Sequence, residues 1–288
     1  MNVVPMNPAP KGLLDGFSIE VMPRTAAKIP DFKAILPSST RVYVAHIAGT
    51  PIEDMLATAG RLAADGFDVM PHFPARIIKD KAVLEDWVQR YANLGVRSAL
   101  LLAGGLDQPE GDFSDSMQLM ESGVFDANGF TRLHVAGHPE GNRDIGTEAE
   151  VMAALKWKSD FQNRSDARMA IATQFVFEAQ PVRDWCARMQ DAGVHIPVHI
   201  GVAGPAKLQT LIKFSMACGV GPSLRVLTRR AKDLTKLLRP FTPEALLAEL
   251  ATNRPAAIES VHFFPLGGIR ATTDYISAQS DPAARLRA

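Results

Sequence analysis

Several side chains that can transfer protons or form directed hydrogen bonds interrupt or follow short apolar runs of this sequence. Glu20 lies within the apolar run 17–22, where loss of water would raise the pKa of its carboxyl group and suit it to donate a proton. A structural pairing with an internal arginine or lysine is the alternative. His46 and His72 each directly follow an apolar run, and a neutral imidazole there can hydrogen-bond a bound ring or phosphate. A single histidine at such a place is more often structural, so neither identifies a site by itself.

Two loops and a further apolar run add candidates. The loops 103–107 and 137–142 contain small residues that let the backbone approach a ligand closely. Lys158 falls on the helical stretch after the second loop, where its ammonium group could reach a phosphate; a solvated helix face is the alternative. Gln174 lies in the apolar run 172–177, and its amide offers a donor and acceptors for the edge of a heterocycle.

Metal and disulfide chemistry are disfavoured by the residues present. The histidines are scattered and no His-Glu-x-x-His sequence occurs, so we expect no zinc or iron site. The two cysteines, Cys186 and Cys218, are far apart and neither has a Cys-x-x-Cys partner. We expect both to be small buried hydrophobic residues in a reducing compartment.

The elements that must hold these candidates form a regular alternation of short apolar runs and amphipathic stretches. The eight predicted strands are 17–22, 41–45, 68–71, 98–102, 132–136, 170–175, 198–201 and 260–264. The predicted helices between them are 51–65, 82–94, 147–159, 182–192 and 205–218. This alternation predicts a parallel α/β fold, and the strand count predicts a (β/α)₈ TIM barrel. An open doubly wound sheet is the alternative, but no Gly-x-Gly-x-x-Gly sequence follows the first strand.

A barrel of this kind carries its reactive groups at the carboxyl ends of its strands, where the candidates above would gather. We expect a single domain with three parts. A flexible arm covers 1–15, the barrel covers 16–276 with a helix-rich insertion at 229–253, and a disordered tail covers 277–288.

Charge and hydropathy exclude several classes of partner. The 288 residues include 31 basic and 31 acidic side chains, so no net field favours nucleic acid or an anionic membrane. No run approaches the roughly 20 apolar residues that span a bilayer, and the N-terminus lacks the pattern of a secretory signal. We therefore expect a cytoplasmic enzyme that acts on a small molecule.

Six short segments together resemble one known family. They are Ser18-Ile19-Glu20-Val21-Met22-Pro23, Pro71-His72-Phe73, His138-Pro139-Glu140, Leu155-Lys156-Trp157-Lys158, Ala172-Thr173-Gln174-Phe175-Val176-Phe177 and His262-Phe263-Phe264-Pro265-Leu266. They are similar to strands and loops of methylenetetrahydrofolate reductase, a flavoprotein barrel of one-carbon metabolism. The resemblance runs from about Phe17 to Tyr275.

The resemblance implies an oxidoreductase that uses FAD to interconvert 5,10-methylenetetrahydrofolate and 5-methyltetrahydrofolate. Glu20 would be the general acid that helps to open the five-membered ring of the methylene folate, giving an iminium that takes hydride from flavin N5. Gln174 would bind the folate. The residues that would line the flavin are His46, His72, His138, Asn142 and Lys158, with Lys158 on a phosphate. The resemblance also implies NADH or NADPH as electron donor and a homo-oligomer.

The chain departs from the family pattern after the fourth strand. The family has Arg-Gly-Asp where this chain has Ala103-Gly104-Gly105. The aspartate near the flavin is thus replaced by Gly105, and Asp107 could take its place only if the loop is bulged by two residues. His138 occupies the position of a tyrosine in the family, and Asn142 occupies the position of a histidine. These changes bear on flavin affinity, redox potential and the choice of electron donor, and they leave Glu20 and Gln174 in place.

Three functions stay open at this stage. The first is reductase-type flavin chemistry, in either direction. The second is a folate-binding barrel without catalysis, and the third is an unrelated barrel enzyme. A lysine Schiff-base aldolase, as an example of the third, needs a strand-borne lysine, and none of the predicted strands contains one.

Overall fold

Eight parallel strands close into one barrel in the order in which they follow along the chain. The structure is a computed structural model that describes residues 12–141, 146–217, 227 and 240–280. Each strand pairs with its neighbours in sequence, and β1 closes the ring by pairing with β8. The (β/α)₈ barrel predicted from the sequence is confirmed.

All eight predicted strands are present. Their bounds are β1 Ser18–Val21, β2 Arg41–Val44, β3 Asp68–Pro74, β4 Ser98–Leu102, β5 Arg132–Gly137, β6 Arg168–Val176, β7 Val198–Ala203 and β8 Ile258–Phe264. At the carboxyl ends of the strands, the largest difference between predicted and observed bounds is in β3. This strand runs to Pro74 because its last three residues pair with Leu100, Leu101 and Leu102 of β4. His72 therefore lies within β3 and does not follow it.

Helices connect the strands. Their bounds are α1 Pro23–Ala26, α2 Ile52–Ala64, α3 Lys81–Asn93, α4 Ser116–Glu121, α5 Val124–Ala127, α6 Glu148–Phe161, α7 Ala179–Asp191, α8 Leu208–Ala217, α9 Glu244–Thr252 and α10 Ile269–Ser280. The five helices predicted between strands are confirmed as α2, α3, α6, α7 and α8. The sequence did not indicate α4 and α5, because helices of six and four residues are too short for a clear amphipathic period.

The strands place alternate side chains inside and outside the barrel. On β1, Ile19 and Val21 belong to the apolar core between the sheet and the helices. Ser18 and Glu20 therefore point into the barrel. The same alternation on the other strands decides which polar residues can meet inside.

Several predicted segments fall partly outside the described residues. These are most of the arm 1–15, part of the insertion 229–253 and the end of the tail 277–288; Asn142 and Cys218 are also outside. Residues 277–280 belong to α10 and not to a disordered tail, and the buried Ile276 anchors that helix to the outer core. None of the helices in the described ranges is long and apolar enough to cross a bilayer.

Candidate active site

Glu20 lies at the mouth of the barrel, which is the end formed by the carboxyl ends of the strands. Its side chain is 21% exposed. Its Oε2 atom lies 3.4 Å from Nε2 of His72 on β3 and 3.9 Å from Nε2 of His262 on β8. Both imidazoles are buried. One carboxyl group is thus held between two imidazoles, with part of its surface open to a ligand.

Burial decides the charges of these three groups. Loss of water raises the pKa of Glu20 above its usual range, and Coulombic attraction to His72 opposes this in part. Burial lowers the pKa of His72 to about 4 and that of His262 to about 3. Both imidazoles are therefore neutral at pH 7, and no fixed positive charge holds Glu20 in its ionised form. A carboxyl group in this setting is suited to donate a proton.

Gln174 is placed by an irregularity in β6. The pairing of β6 with β7 shifts register between Ala172 and Phe175. The hydroxyl of Thr173 secures the shift, since it accepts a hydrogen bond from the Gly201 amide at 2.8 Å and donates one to the Gln174 carbonyl at 2.9 Å. The Gln174 Oε1 atom accepts from the Phe175 amide at 3.1 Å. The side-chain oxygen is thereby fixed, and the half-buried amide nitrogen can donate to a ligand.

The bulge leaves no room for a side chain at Gly201. An added Cβ would lie 2.4 Å from the Thr173 carbonyl oxygen, and backbone cannot easily retreat from such a contact. We expect Gly201→Ala to lower the free energy of unfolding by about 3 kcal/mol and the midpoint of thermal unfolding by roughly 5–10 °C.

Gly105→Ala is the matched control for this change. No atom lies within 4 Å of the Cβ that it would add, so thermal unfolding should be nearly unchanged. Circular dichroism melts of both variants provide the measurement. Equal stability of the two variants would contradict the close packing of β6 on β7.

His46 lies in the loop after β2 and is buried. Its Nε2 atom faces the Thr50 carbonyl oxygen at 3.0 Å, so this nitrogen carries the proton and Nδ1 is an acceptor. Among the described residues Nδ1 has no hydrogen-bond partner. The ring also packs on Trp87, with centroids 5.2 Å apart. The structure thus holds His46 rigidly next to the mouth.

The loop after β4, where the chain departs from the family pattern, is held by Arg76. This guanidinium donates to the carbonyl oxygens of Leu106 at 2.6 Å and Ser114 at 3.1 Å. Asp107 follows Leu106 and is exposed. The loop is therefore ordered without the arginine that the family has at position 103, and Asp107 as a flavin contact stays a prediction.

Two further predicted flavin residues, His138 and Lys158, come later in the chain than Glu20. His138 is half-buried directly after β5. Lys158 is buried in the last turn of α6, and helices of such a barrel begin at the mouth and run away from it. Burial lowers the pKa of Lys158 to about 8, opposed by the charge of Asp115. The structure does not bring Lys158 to Glu20, and its phosphate contact stays a prediction. Asn142 lies outside the described residues, and its flavin contact also stays a prediction.

Four inward-facing side chains were missed as site residues by the sequence analysis. They are Tyr43, His134, His199 and His262, all buried inside the barrel. A signal for them exists, because each is flanked on both sides by apolar residues of a strand, as in Val42-Tyr43-Val44. In a strand that pattern turns the central residue away from the outer core.

Among the described residues there is no group of three or more histidine, cysteine, aspartate or glutamate side chains that could hold a metal ion. Cys186 is buried, and burial raises the pKa of its thiol to about 11. This thiol is therefore protonated at neutral pH and does not take part in the site.

No protein-family model matches the sequence. Many solved structures are similar in overall fold, and two of them are compared with this chain below. A conserved protein of unknown function from Enterococcus faecalis aligns with a TM-score of 0.48 and 13% identity, over 92% of this chain and 65% of that one. Dihydropteroate synthase from Thermus thermophilus aligns with a TM-score of 0.47 and 12% identity, over 91% of this chain and 90% of that one. This chain thus spans less than two thirds of the Enterococcus protein, and neither similarity assigns an activity to it.

Proposed function

We propose that this chain is an oxidoreductase that interconverts 5,10-methylenetetrahydrofolate and 5-methyltetrahydrofolate with a bound flavin. The observation that carries the proposal is the position of Glu20, a partly exposed carboxyl group with a raised pKa between two neutral imidazoles at the mouth. Opening the five-membered ring of the methylene folate requires a proton at a ring nitrogen. The setting of Glu20 suits this carboxyl group to deliver it.

The chemistry at Glu20 follows from its surroundings. In its neutral form the carboxyl group donates a proton to the folate nitrogen, and the carbon–nitrogen bond breaks to give an iminium. His72 and His262 stay uncharged during this step, because burial lowers their pKa values far below 7. A charged imidazole at 3.4 Å would instead favour ionised Glu20 and remove the acid.

Gln174 orients the folate in this proposal. Its side-chain oxygen is held by the Phe175 amide, so the amide nitrogen keeps one defined direction without a further loss of rotamer entropy on binding. A donor with a fixed direction suits an acceptor atom on the edge of a pterin.

Four residues at the mouth support a bound flavin in this proposal. Ile47, after β2, is 55% exposed and offers an apolar surface, and open space surrounds Gly105 in the loop after β4. His46, with an acceptor nitrogen that lacks a partner among the described residues, and His138 would hold the ring between these loops. A bound flavin would supply the hydride acceptor and donor, and NADH or NADPH would be the electron source. Lys158 is the proposed phosphate contact.

The visible absorbance spectrum tests the proposal. The purified protein, supplied with FAD, should show a bound-flavin band, and this band should bleach on anaerobic addition of 5-methyltetrahydrofolate. Tetrahydrofolate, which has no one-carbon unit, is the control and should leave the band unchanged. Bleaching would show hydride transfer from the folate to the flavin.

Two outcomes would contradict the proposal. A bound flavin that does not respond to methyltetrahydrofolate would exclude folate oxidation. A colourless protein that nevertheless binds folate would favour the folate-binding barrel without catalysis.

A further inference from the structure

A polar column occupies the inside of the barrel below Glu20, where (β/α)₈ barrels usually hold branched apolar side chains. Its members are Ser18, Tyr43, His134, His199, Ser260 and His262, each at most 3% exposed. Glu259 lies at the opposite end, at the start of β8, with its side chain 58% exposed. The column therefore extends from the mouth toward solvent at the amino-terminal end of the strands.

The upper part of the column is joined by hydrogen bonds. The Ser18 Oγ atom lies 2.9 Å from Nδ1 of His262, whose Nε2 is 3.9 Å from the Glu20 carboxylate. The Tyr43 hydroxyl lies 2.5 Å from Nδ1 of His134, and it is near enough to Ser18 for the Ser18 hydroxyl to counter part of the rise in the pKa of Tyr43 that burial causes. The 3.9 Å between His262 and Glu20 is longer than a hydrogen bond, so proton transfer between them requires the Glu20 carboxyl group to turn toward His262.

The lower part reaches the exposed carboxylate. The rings of His134 and His199 are in edge-to-face contact, with centroids 4.7 Å apart. The Nδ1 atom of His199 lies 2.9 Å from the Ser260 hydroxyl, and its Nε2 lies 3.1 Å from Glu259. His134 Nε2 is buried and has no hydrogen-bond partner among the described residues. No hydrogen bond joins His134 to His199 among the described residues, so a water molecule at this nitrogen would have to link the two parts.

We propose that this column is a proton relay that connects Glu20 with solvent at the amino-terminal end of the barrel. The inference rests on the proposed function, in which one hydride and one proton convert the methylene folate to the methyl folate. The proton passes through Glu20 in each turnover, onto the folate nitrogen in one direction and from it in the other.

Neutral imidazoles and hydroxyl groups are the groups needed for such a relay. Each accepts a proton at one atom and releases one from another, so no member carries a full charge for long. When Glu20 has given its proton to the folate, His262 supplies one from Nε2 and takes one from Ser18 at Nδ1. Tyr43 and His134 then replace the proton of Ser18 in turn, and a water molecule at Nε2 of His134 would return the proton of His134. Ser260, His199 and Glu259 would connect this water molecule with solvent.

A relay through the barrel is needed because the bound folate covers the mouth during catalysis. Glu20 is 21% exposed in the free protein, so water can reach it there. A folate bound at the mouth closes this route, and the proton must then travel through the barrel. The relay should therefore matter when substrate saturates the mouth and be dispensable when the mouth is mostly empty.

Tyr43→Phe tests the relay, because it removes one hydroxyl group and keeps the ring. We expect kcat at saturating folate to fall by about tenfold, with kcat/KM nearly unchanged. Tyr91→Phe is the matched control: this tyrosine is also buried, and its hydroxyl has no hydrogen-bond partner among the described residues, but it lies in the outer core. Its kinetics should equal those of the unmodified protein.

A second measurement does not depend on turnover. Tetrahydrofolate covers the mouth but cannot react, and a jump from mildly acidic to alkaline pH then deprotonates Glu20. Infrared detection follows the carbonyl stretch of the protonated acid, which is assigned by its loss in Glu20→Gln. With tetrahydrofolate bound, Tyr43→Phe should slow the decay by about tenfold; without ligand, the two proteins should decay alike.

The outcomes separate the relay from the proposed function. Unchanged kcat and unchanged decay in Tyr43→Phe would overturn the relay while folate oxidation by the unmodified protein still stands. An equal fall of kcat and kcat/KM would also overturn it, since the hydroxyl would then have a structural role. A protein that binds tetrahydrofolate but does not oxidise methyltetrahydrofolate would overturn the proposed function, and the infrared decay would then decide the relay alone.

Discussion

Glu20→Gln should reduce folate turnover by about a thousandfold, the typical contribution of a positioned general acid. Glutamine has nearly the same shape as protonated glutamate and stays neutral, so the packing against His72 and His262 is kept. It has no acidic proton to give to the folate nitrogen. The rate of methyltetrahydrofolate oxidation is the measurement, and the flavin spectrum of the variant checks that the cofactor is still bound.

Glu178→Gln is the control for this substitution. Glu178 follows β6 at the same end of the barrel, but its side chain is exposed and makes no capping hydrogen bond to α7. Its replacement should leave turnover unchanged. Turnover of Glu20→Gln at the rate of the control would exclude Glu20 as the proton donor.

The strand pattern of this barrel could be predicted from the sequence because apolar runs alternate with amphipathic stretches, several of which end at a glycine. The ends of the strands were harder to predict, since β3 is extended by its pairing with β4 and not by its own composition. The rigid position of Gln174 was also beyond sequence analysis. It depends on a bulge between two strands and on the lack of a side chain at Gly201, which meet only in the folded barrel.

The partners of Glu20 were hidden for a related reason. The sequence indicated a buried carboxyl group but gave an internal arginine or lysine as its structural partner. The structure instead places His72 and His262 beside it, from strands β3 and β8. Arg41, the inward arginine of β2, pairs with Asp68 at 2.8 Å near the start of the strands. The layer of the barrel that a residue occupies depends on strand register. The register between distant strands cannot be predicted from the residues of either strand alone.

The buried histidines should make the protein unusually sensitive to acid. Burial lowers the pKa values of His72, His134, His199 and His262 in the folded state, whereas an unfolded histidine titrates near 6.5. Their contribution to stability is therefore complete above about pH 6.5 and is lost as the pH falls below it, because the unfolded chain then binds protons that the folded chain does not. Glu20, whose pKa is raised, has the opposite effect on stability, because the folded chain keeps one proton that the unfolded chain releases.

The expected loss of free energy of unfolding follows from the number of protons that the chain binds when it unfolds. Burial also lowers the pKa of His46, so five histidines less one glutamate leave a difference of about four protons, and each is worth about 1.4 kcal/mol per pH unit. His72 alone, with a pKa of about 4, would cost about 3 kcal/mol between pH 6.5 and 4. Since a typical domain is stable by about 5–15 kcal/mol, we expect unfolding well before His72 or His262 can be protonated in the native barrel.

Urea unfolding measured at a series of pH values from neutral to about 5 tests this expectation, because the slope of the free energy of unfolding gives the proton difference directly. His262→Asn should reduce the slope by about one proton, since it removes one histidine with a lowered pKa and keeps a polar partner for Ser18. His195→Gln is the control, as His195 is exposed in the loop before β7, and it should leave the slope unchanged. A free energy of unfolding that does not depend on pH between about 6.5 and 5 would contradict neutral histidines in the barrel. It would thereby also remove the uncharged setting that makes Glu20 an acid.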